Sequence, residues 1–397
     1  MKKNWFMLSL LFTAVEFACA EPFYQEQLIF PLQEKHVHSS CIVECPNGDL
    51  LVSWFHGSGE RQASDVLVQG SRLKKGKQEW SPVFPMADTP EFPDCNPVLF
   101  VDSNKDLWLF WIAVLAERWE DSMLRYRKAS DYQGDGAPNW SWQDEIILKP
   151  GEEFVESLAR GYEKIAADNP GFGTDFGGLA ACPMESLLEA ARNMSNRQRG
   201  WMTRTHALVL PSGRILLPLY SDGFYVGLMA VSDDQGKTWR ASSPIVGACL
   251  NQPSVVRKQD GTLVAYMRSE GDYKKRIMRS ESTDDGETWS PAVATDMPNP
   301  NASIEAVALQ DGRWVMAYND CENERETLAL AMSDDKGASW KWIRHLERTT
   351  GGAFHYPSII QTRDGRIHIT YTYRPGPNSA KSIKHVTLDA EWIIKGD

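Results

Sequence analysis

Three stretches of the chain are near copies of one another: "SDDQGKTW" from Ser232, "STDDGETW" from Ser282 and "SDDKGASW" from Ser333. They recur about every fifty residues, so the unit that carries them is itself repeated. A second marker travels with them, a glycine turn between two alternating apolar runs. It reads "PNGDLLVSW" at Gly48, "PSGRILLPL" at Gly213, "QDGTLVAYM" at Gly261, "QDGRWVMAY" at Gly312 and "RDGRIHITY" at Gly365. A weaker copy, "SNKDLWLFW", surrounds Lys105. Asn-Gly and Asp-Gly between alternating runs predict tight hairpins, because those residues accept the positive φ of such turns.

Six hairpins at this period predict six four-stranded units, the dimensions of propeller blades. The expected fold is therefore all-β, a six-bladed β-propeller. One spacing, from Lys105 to Gly213, far exceeds a repeat. Within it, residues 151–200 have Glu/Ala/Leu-rich ends and a Gly/Pro-rich middle, which predicts a helical insertion on one blade. So short a segment makes a marginal core alone, so residues 21–397 read as a single propeller domain. In this frame each Ser-Asp-Gly-Trp motif follows the third strand of its blade. Its short acidic residues suit a turn and its Trp can bury between blades, so the motifs are architecture, not catalysis.

The chain of 397 residues has 42% hydrophobic and 24% charged residues, ordinary for a globular protein. Residues 1–20 read as a secretory signal: Lys2 and Lys3, an apolar run from Trp5 to Val15, then Ala18-Cys19-Ala20. A secreted or periplasmic protein is expected, and no later stretch has the ~18 apolar residues of a membrane span. The net charge of −11, without a Lys/Arg run, argues against nucleic acid or an anionic membrane as partner. Six cysteines follow the signal, none with zinc-ligand spacing; buried free thiols are the preferred reading, with pairing of some of them in an exported protein as the alternative. No metal or other cofactor is expected.

The repeated motifs resemble the Ser-x-Asp-x-Gly-x-Thr-Trp box of the sialidase superfamily, and the similarity covers essentially all of residues 21–397. The superfamily includes glycosidases, lyases and non-enzymatic binders, so the resemblance specifies the fold more closely than the activity.

A propeller brings the starts of its innermost strands together around a central channel. Counting back from the turn centres lands on Ser39, Asn96, Arg204, Gln252, Ser303 and Tyr356, polar openings for strands that should be buried. A second polar layer follows the second strands and includes Glu60, Asp65, Tyr220, Asp222, Arg268, Glu270 and Arg325. Arg concentrated at one rim suits carboxylates or sulfates, which the guanidinium fork grips through two bonds.

Sialidases hold a sugar carboxylate with three Arg, use an Asp as acid/base and attack with a Tyr paired to a Glu. The resemblance assigns Arg268 and Arg325 to two of the Arg, Tyr356 to the nucleophile and Asp65 to the acid/base. It departs at His38, where the family has its first Arg, and at Gln252, where the Glu that pairs with Tyr is expected. Glu270 or Glu305 replaces that Glu only if the fold brings one beside Tyr356. His38, Asn96, Arg204, His206 and Gln252 are then candidates to orient sugar hydroxyls.

These residues imply an exported exo-acting hydrolase of an acidic terminal sugar, with carbohydrate as its partner. Two alternatives stand beside it. In a lyase acting on a uronate, Arg neutralises the carboxylate and a His/Tyr pair, His38 or His206 with Tyr356, moves the protons. A carbohydrate-binding propeller without turnover is the other.

Overall fold

A computed structural model of the chain describes residues 21–168, 184–270 and 275–397. The expected signal at residues 1–20 lies outside them, as does the middle of the insertion. Each hairpin forms, and the strands assemble into six antiparallel sheets. Blade one comprises His36–Glu44, Leu50–Gly57, Leu67–Leu73 and Phe84–Ala87. Blade two comprises Asp94–Val101, Leu107–Ala113, Met123–Ala129 and Trp142–Glu145. In blade three the inner strand is broken into Met202–Thr203 and Leu208–Val209, followed by Ile215–Ser221, Val226–Ser232 and Arg240–Ala241. Blade four runs Leu250–Arg257, Leu263–Ser269, Arg276–Ser282 and Val293–Pro298. Blade five runs Glu305–Ala308, Trp314–Tyr318, Thr327–Ser333 and Trp342–Arg348.

Blade six has three strands from the end of the chain: Ala353–Gln361, Ile367–Arg374 and Ser382–Leu388. Its outermost strand is Tyr24–Leu28, paired antiparallel with Ser382–Leu388 from Tyr24↔Leu388 to Leu28↔Lys384. The first and last strands thus share one sheet and close the ring, which leaves no unpaired edge at the seam. The innermost strands of blades one and six also touch, as do those of blades one and two, two and three, four and five, and five and six. The inner strand of blade four packs on the second and third strands of blade three.

The hairpin turns adopt the backbone that their composition predicts. φ is +89° at Gly48, +90° at Gly213, +98° at Gly261, +86° at Gly312 and +86° at Gly365. Lys105, at the weaker copy, has φ +67°.

The three Ser-Asp-Gly-Trp motifs each close the same turn. Ser232, Ser282 and Ser333 donate Oγ–H to Asp234, Asp284 and Asp335 at 2.9, 2.8 and 2.8 Å. The same hydroxyls accept the N–H of Gly236, Gly286 and Gly337. These glycines have positive φ and lie against the preceding blade, where a Cβ on Gly236 would come 2.4 Å from the Trp108 ring. Two of the motif Trp pack the same way, Trp239 edge-on to Trp108 and Phe110 and Trp340 edge-on to Tyr266, whereas Trp289 packs against an aliphatic cluster.

The described part of residues 151–200 forms the helices Glu152–Asp168, Met184–Arg192 and Met194–Arg197. Cys41, Cys45, Cys95 and Cys321 are free thiols. The expectation of free thiols fails at Cys249, which is disulfide-bonded. No helix among the described residues is long and apolar enough to cross a membrane.

Candidate functional site

The inner strands of blades one, two, four and six share one irregularity. Their pairing with the second strand slips between His38 and Cys41, Cys95 and Val98, Asn251 and Ser254, and His355 and Ser358. At each slip one residue adopts the left-handed conformation: Ser39 (φ +57°), Asn96 (+50°), Gln252 (+57°) and Tyr356 (+55°). Positive φ at a non-glycine residue costs energy, and for a bulky Tyr it is a marked outlier. Such bulges re-aim a side chain away from the regular alternation. Repeated at four of the six ring positions, the bulges disturb the alternation at the same level of the inner strands.

Tyr356 is the centre of the resulting cluster. Its hydroxyl accepts Gln252 Nε2 at 3.1 Å and Arg268 Nη1 at 3.3 Å. Its ring lies 4.9, 5.8 and 5.9 Å from the guanidinium carbons of Arg204, Arg268 and Arg325. His38 packs against it with ring centroids 4.0 Å apart. The Gln252 amide also meets the Tyr220 hydroxyl at 3.2 Å, and Asn96 Nδ2 donates to that hydroxyl at 3.1 Å. Asn96, Arg204, Gln252, Arg268, Arg325, His38 and Tyr356 are thus brought together.

The guanidiniums are held from behind. Arg268 pairs with Glu270 at 2.9 Å, and Glu270 accepts from Asn251 at 2.9 Å and Asn301 at 2.5 Å. Arg325 donates to the Asn301 carbonyl and lies 3.2 Å from His355 Nδ1. Arg204 is 1% exposed and donates only Nη2, to the Pro357 carbonyl at 2.7 Å, while its Nε and Nη1 are buried without a partner. A buried guanidinium with unmet donors costs about 1–3 kcal/mol per group, which marks the hub as built for something other than stability.

Charge in the hub follows burial. Burial holds His38 far below the ordinary imidazole value, and His355 and His36 add to the effect, so the ring against Tyr356 is neutral. Its Nδ1 meets Thr372 Oγ1 at 3.1 Å. Burial likewise raises the Tyr220 phenol far above its usual value, reinforced by Tyr356.

Three candidates lie elsewhere. His206 Nδ1 sits 2.9 Å from Glu305 Oε1, and Glu305 Oε2 accepts the Ile359 N–H at 2.9 Å. Both oxygens of Glu305 are therefore occupied in the floor of the hub, and Glu270 is occupied by Arg268. Neither carboxylate takes the place beside the Tyr356 hydroxyl, where Gln252 stands. Asp65 is on the rim, its carboxylate bonded to Lys35 Nζ at 2.8 Å and to Ser58. Those bonds, Lys35 first, hold it far below the usual carboxylate range.

Tyr220 stood in the second polar layer of the sequence reading without a role. Three contributors escaped it: Asn251, Asn301 and His355, which lie close to positions of the first polar ring but whose spacing did not distinguish them from strand residues. Among the described residues no group of His, Cys, Asp and Glu could hold a metal ion.

The BNR repeat-like family model matches residues 48–167 and 197–369. A sialidase of Micromonospora viridifaciens is 26% identical over 183 residues, covering 43% of this chain and 26% of that protein. An anhydrosialidase of Macrobdella decora is 35% identical over 181 residues, covering 40% of this chain and 23% of that protein. The chain thus spans about a quarter of the length of these relatives. The fold is similar to that of a Streptococcus pneumoniae sialidase (TM-score 0.67, 11% identity), covering 92% of this chain and 70% of that one. The six-bladed ring and the matched repeats agree: the chain belongs to the BNR repeat-like family of the sialidase superfamily.

Proposed function

We propose that this chain is an exported exo-glycosidase of the sialidase type, acting on a terminal sugar that carries an anionic group. One observation carries the reading: three guanidiniums, the buried Arg204 and Arg268 and the half-buried Arg325, surround the ring of a hub tyrosine. Buried arginines without full partners suit a carboxylate or sulfate, and Tyr356 beside them suits attack at the neighbouring carbon. In this mechanism Tyr356 Oη bonds to the anomeric carbon as the glycosidic bond breaks, and its hydroxyl proton passes to the His38 ring packed against it. The leaving oxygen takes a proton from Asp65; water then attacks the anomeric carbon, returns a proton to Asp65 and frees Tyr356, which regains its proton from His38. Gln252 Nε2 and Arg268 Nη1 stabilise negative charge on Oη during attack. For Asp65 to carry a proton, substrate must first displace Lys35 from it. Export is supported by the disulfide at Cys249, since such bonds persist in oxidising compartments.

Two observations favour a second reading, a lyase acting on a uronate. Gln252 stands where a carboxylate would draw the proton from Tyr356, and the neutral His38 ring packs against that tyrosine. His38 would take the proton next to the sugar carboxylate while Tyr356 gives its hydroxyl proton to the departing oxygen. The carbon–oxygen bond breaks and a carbon–carbon double bond forms.

A panel of anionic glycans incubated with wild type and Tyr356→Phe tests both. Hydrolysis releases reducing sugar without a chromophore, whereas elimination gives an unsaturated uronate absorbing in the near ultraviolet. Binding without product, or equal turnover by Tyr356→Phe, overturns the catalytic role of Tyr356.

A further inference from the structure

The insertion is docked, not free-standing. Its first helix packs Phe154 edge-on against Trp201 and Phe224, with centroids 5.9 and 5.4 Å apart. Tyr162 donates its hydroxyl to the Phe224 carbonyl at 3.1 Å. Just past its last helix Gly200, φ +71°, donates its N–H to the Ser122 carbonyl at 2.9 Å. A Cβ on Gly200 would stand 2.5 Å from the Glu120 carbonyl oxygen, so this approach of backbone to backbone needs glycine.

Between this docked wall and the rims of blades two and three lies a cavity of about 240 Å³, lined by Arg118, Glu120, Asp121, Asn196, Arg199 and Asp222, among others. Its guanidiniums already face carboxylates: Arg118 lies 2.7 Å from Glu120 and 3.3 Å from Asp121, and Arg199 lies 3.0 Å from Asp121. An incoming anion would meet three carboxylates and two compensated cations. Asp222 differs from the rest. Its Oδ1 is buried without a hydrogen-bond partner. Burial pushes its acid up to about 6, against the pull of Arg268. Asp222 also connects the cavity to the hub, because Arg268 draws on its charge while Glu270, bonded by Asn251, holds Arg268 against Tyr356.

We propose that this cavity is a subsite for one neutral sugar unit, joined to the anionic sugar held at Tyr356, and that the insertion supplies its wall. The inference rests on the glycan-cleaving reading. Close-set donors and acceptors with little net charge suit hydroxyl groups. The volume, below the ~300–1,000 Å³ of drug-sized ligands, suits a single ring.

Saturation-transfer NMR on the full chain tests it, with methyl β-glucopyranoside, methyl β-galactopyranoside and methyl β-glucuronide as probes. Wild type should receive transfer to at least one neutral glycoside, and Asp222→Ala and Arg199→Ala should each weaken that binding about tenfold. Transfer to the glucuronide should depend on Arg268 instead, as Arg268→Ala reports. Melting temperatures confirm that the variants fold, and Arg199, which is largely solvated, keeps the test open if Asp222→Ala unfolds. Absence of transfer to both neutral glycosides, or transfer unchanged in the folded variants, overturns the subsite. Neutral-sugar binding that depends on Asp222, in a protein that cleaves no glycan, overturns the catalytic reading alone.

Discussion

His206 Nδ1 lies 2.9 Å from Glu305 Oε1, and His206 Nε2 lies 2.7 Å from the Ile42 carbonyl, so both ring nitrogens face acceptors. An imidazole meeting two acceptors donates from both nitrogens and is therefore cationic. The pair ties blades three, five and one together, and Glu305 reaches blade six through the Ile359 N–H.

The first prediction concerns this brace. Burial works against the charge on His206, but Cys41 and Glu305 outweigh it and raise the imidazole well above its ordinary value. Burial also works against the Glu305 carboxylate, and His206 outweighs that, holding it below its ordinary value. Stability from the raised His206 is fully present below pH 6.5 and is lost as pH rises through its folded value. Stability from the lowered Glu305 is present above pH 4.5 and is lost as pH falls through its folded value. Glu305→Gln should therefore lower the melting temperature most between those two limits. Breaking one partner of a buried pair costs about 3–5 kcal/mol. A melting curve unchanged at about pH 5.5, between those limits, would contradict the brace.

The second concerns the guanidiniums. Arg268→Ala removes a hydrogen bond to Tyr356 and one cation from the hub. Loss of a charged hydrogen bond of about 1.5–3 kcal/mol lowers kcat/KM for an anionic substrate by roughly ten- to a hundredfold. Arg268→Lys should recover little, because an ammonium does not form the two-pronged contact. Steady-state kinetics on the substrate found in the glycan panel decides.

A third prediction uses His38. Burial holds it well below 6.5, so a reaction that needs the neutral ring should proceed at a level rate through neutral pH and slow only on the acid side. A pH profile of kcat/KM that climbs with a midpoint at or above 6.5 would remove His38 as the base.

The fourth tests the docking of the insertion. Gly200→Ala forces a Cβ into the Glu120 backbone at positive φ, at a cost of about 1–3 kcal/mol. Limited proteolysis should then cut within residues 151–200 sooner than in wild type, while Asp335→Ala, in the blade-five repeat turn where it bonds Ser333 and Ser339, should leave that cleavage unchanged.

The fold was legible because its determinants are local. An Asp-Gly turn and two alternating runs state a hairpin within about ten residues, and positive φ at Gly48, Gly213, Gly261, Gly312 and Gly365 is the same requirement seen in coordinates. The start of each inner strand was legible for the same reason, since polar residues such as Asn96, Gln252 and Tyr356 broke an apolar run. Pairings across blades were not. His206 and Glu305 are 99 residues apart in the chain, and the Gln252 amide meets a tyrosine 104 residues away.

Strand, turn and repeat period depend on neighbours in sequence, so the amino-acid order alone determined the six blades and the level at which polar residues gather. Which of them meet depended on closing the ring, done by pairing Tyr24–Leu28 with Ser382–Leu388. Closure brought Arg204, Arg268 and Arg325 around Tyr356, left Asp65 with Lys35 on the rim, and occupied both oxygens of Glu305. Side-chain contact falls off within a few ångströms, and only the tertiary structure sets distances that short between residues a hundred positions apart.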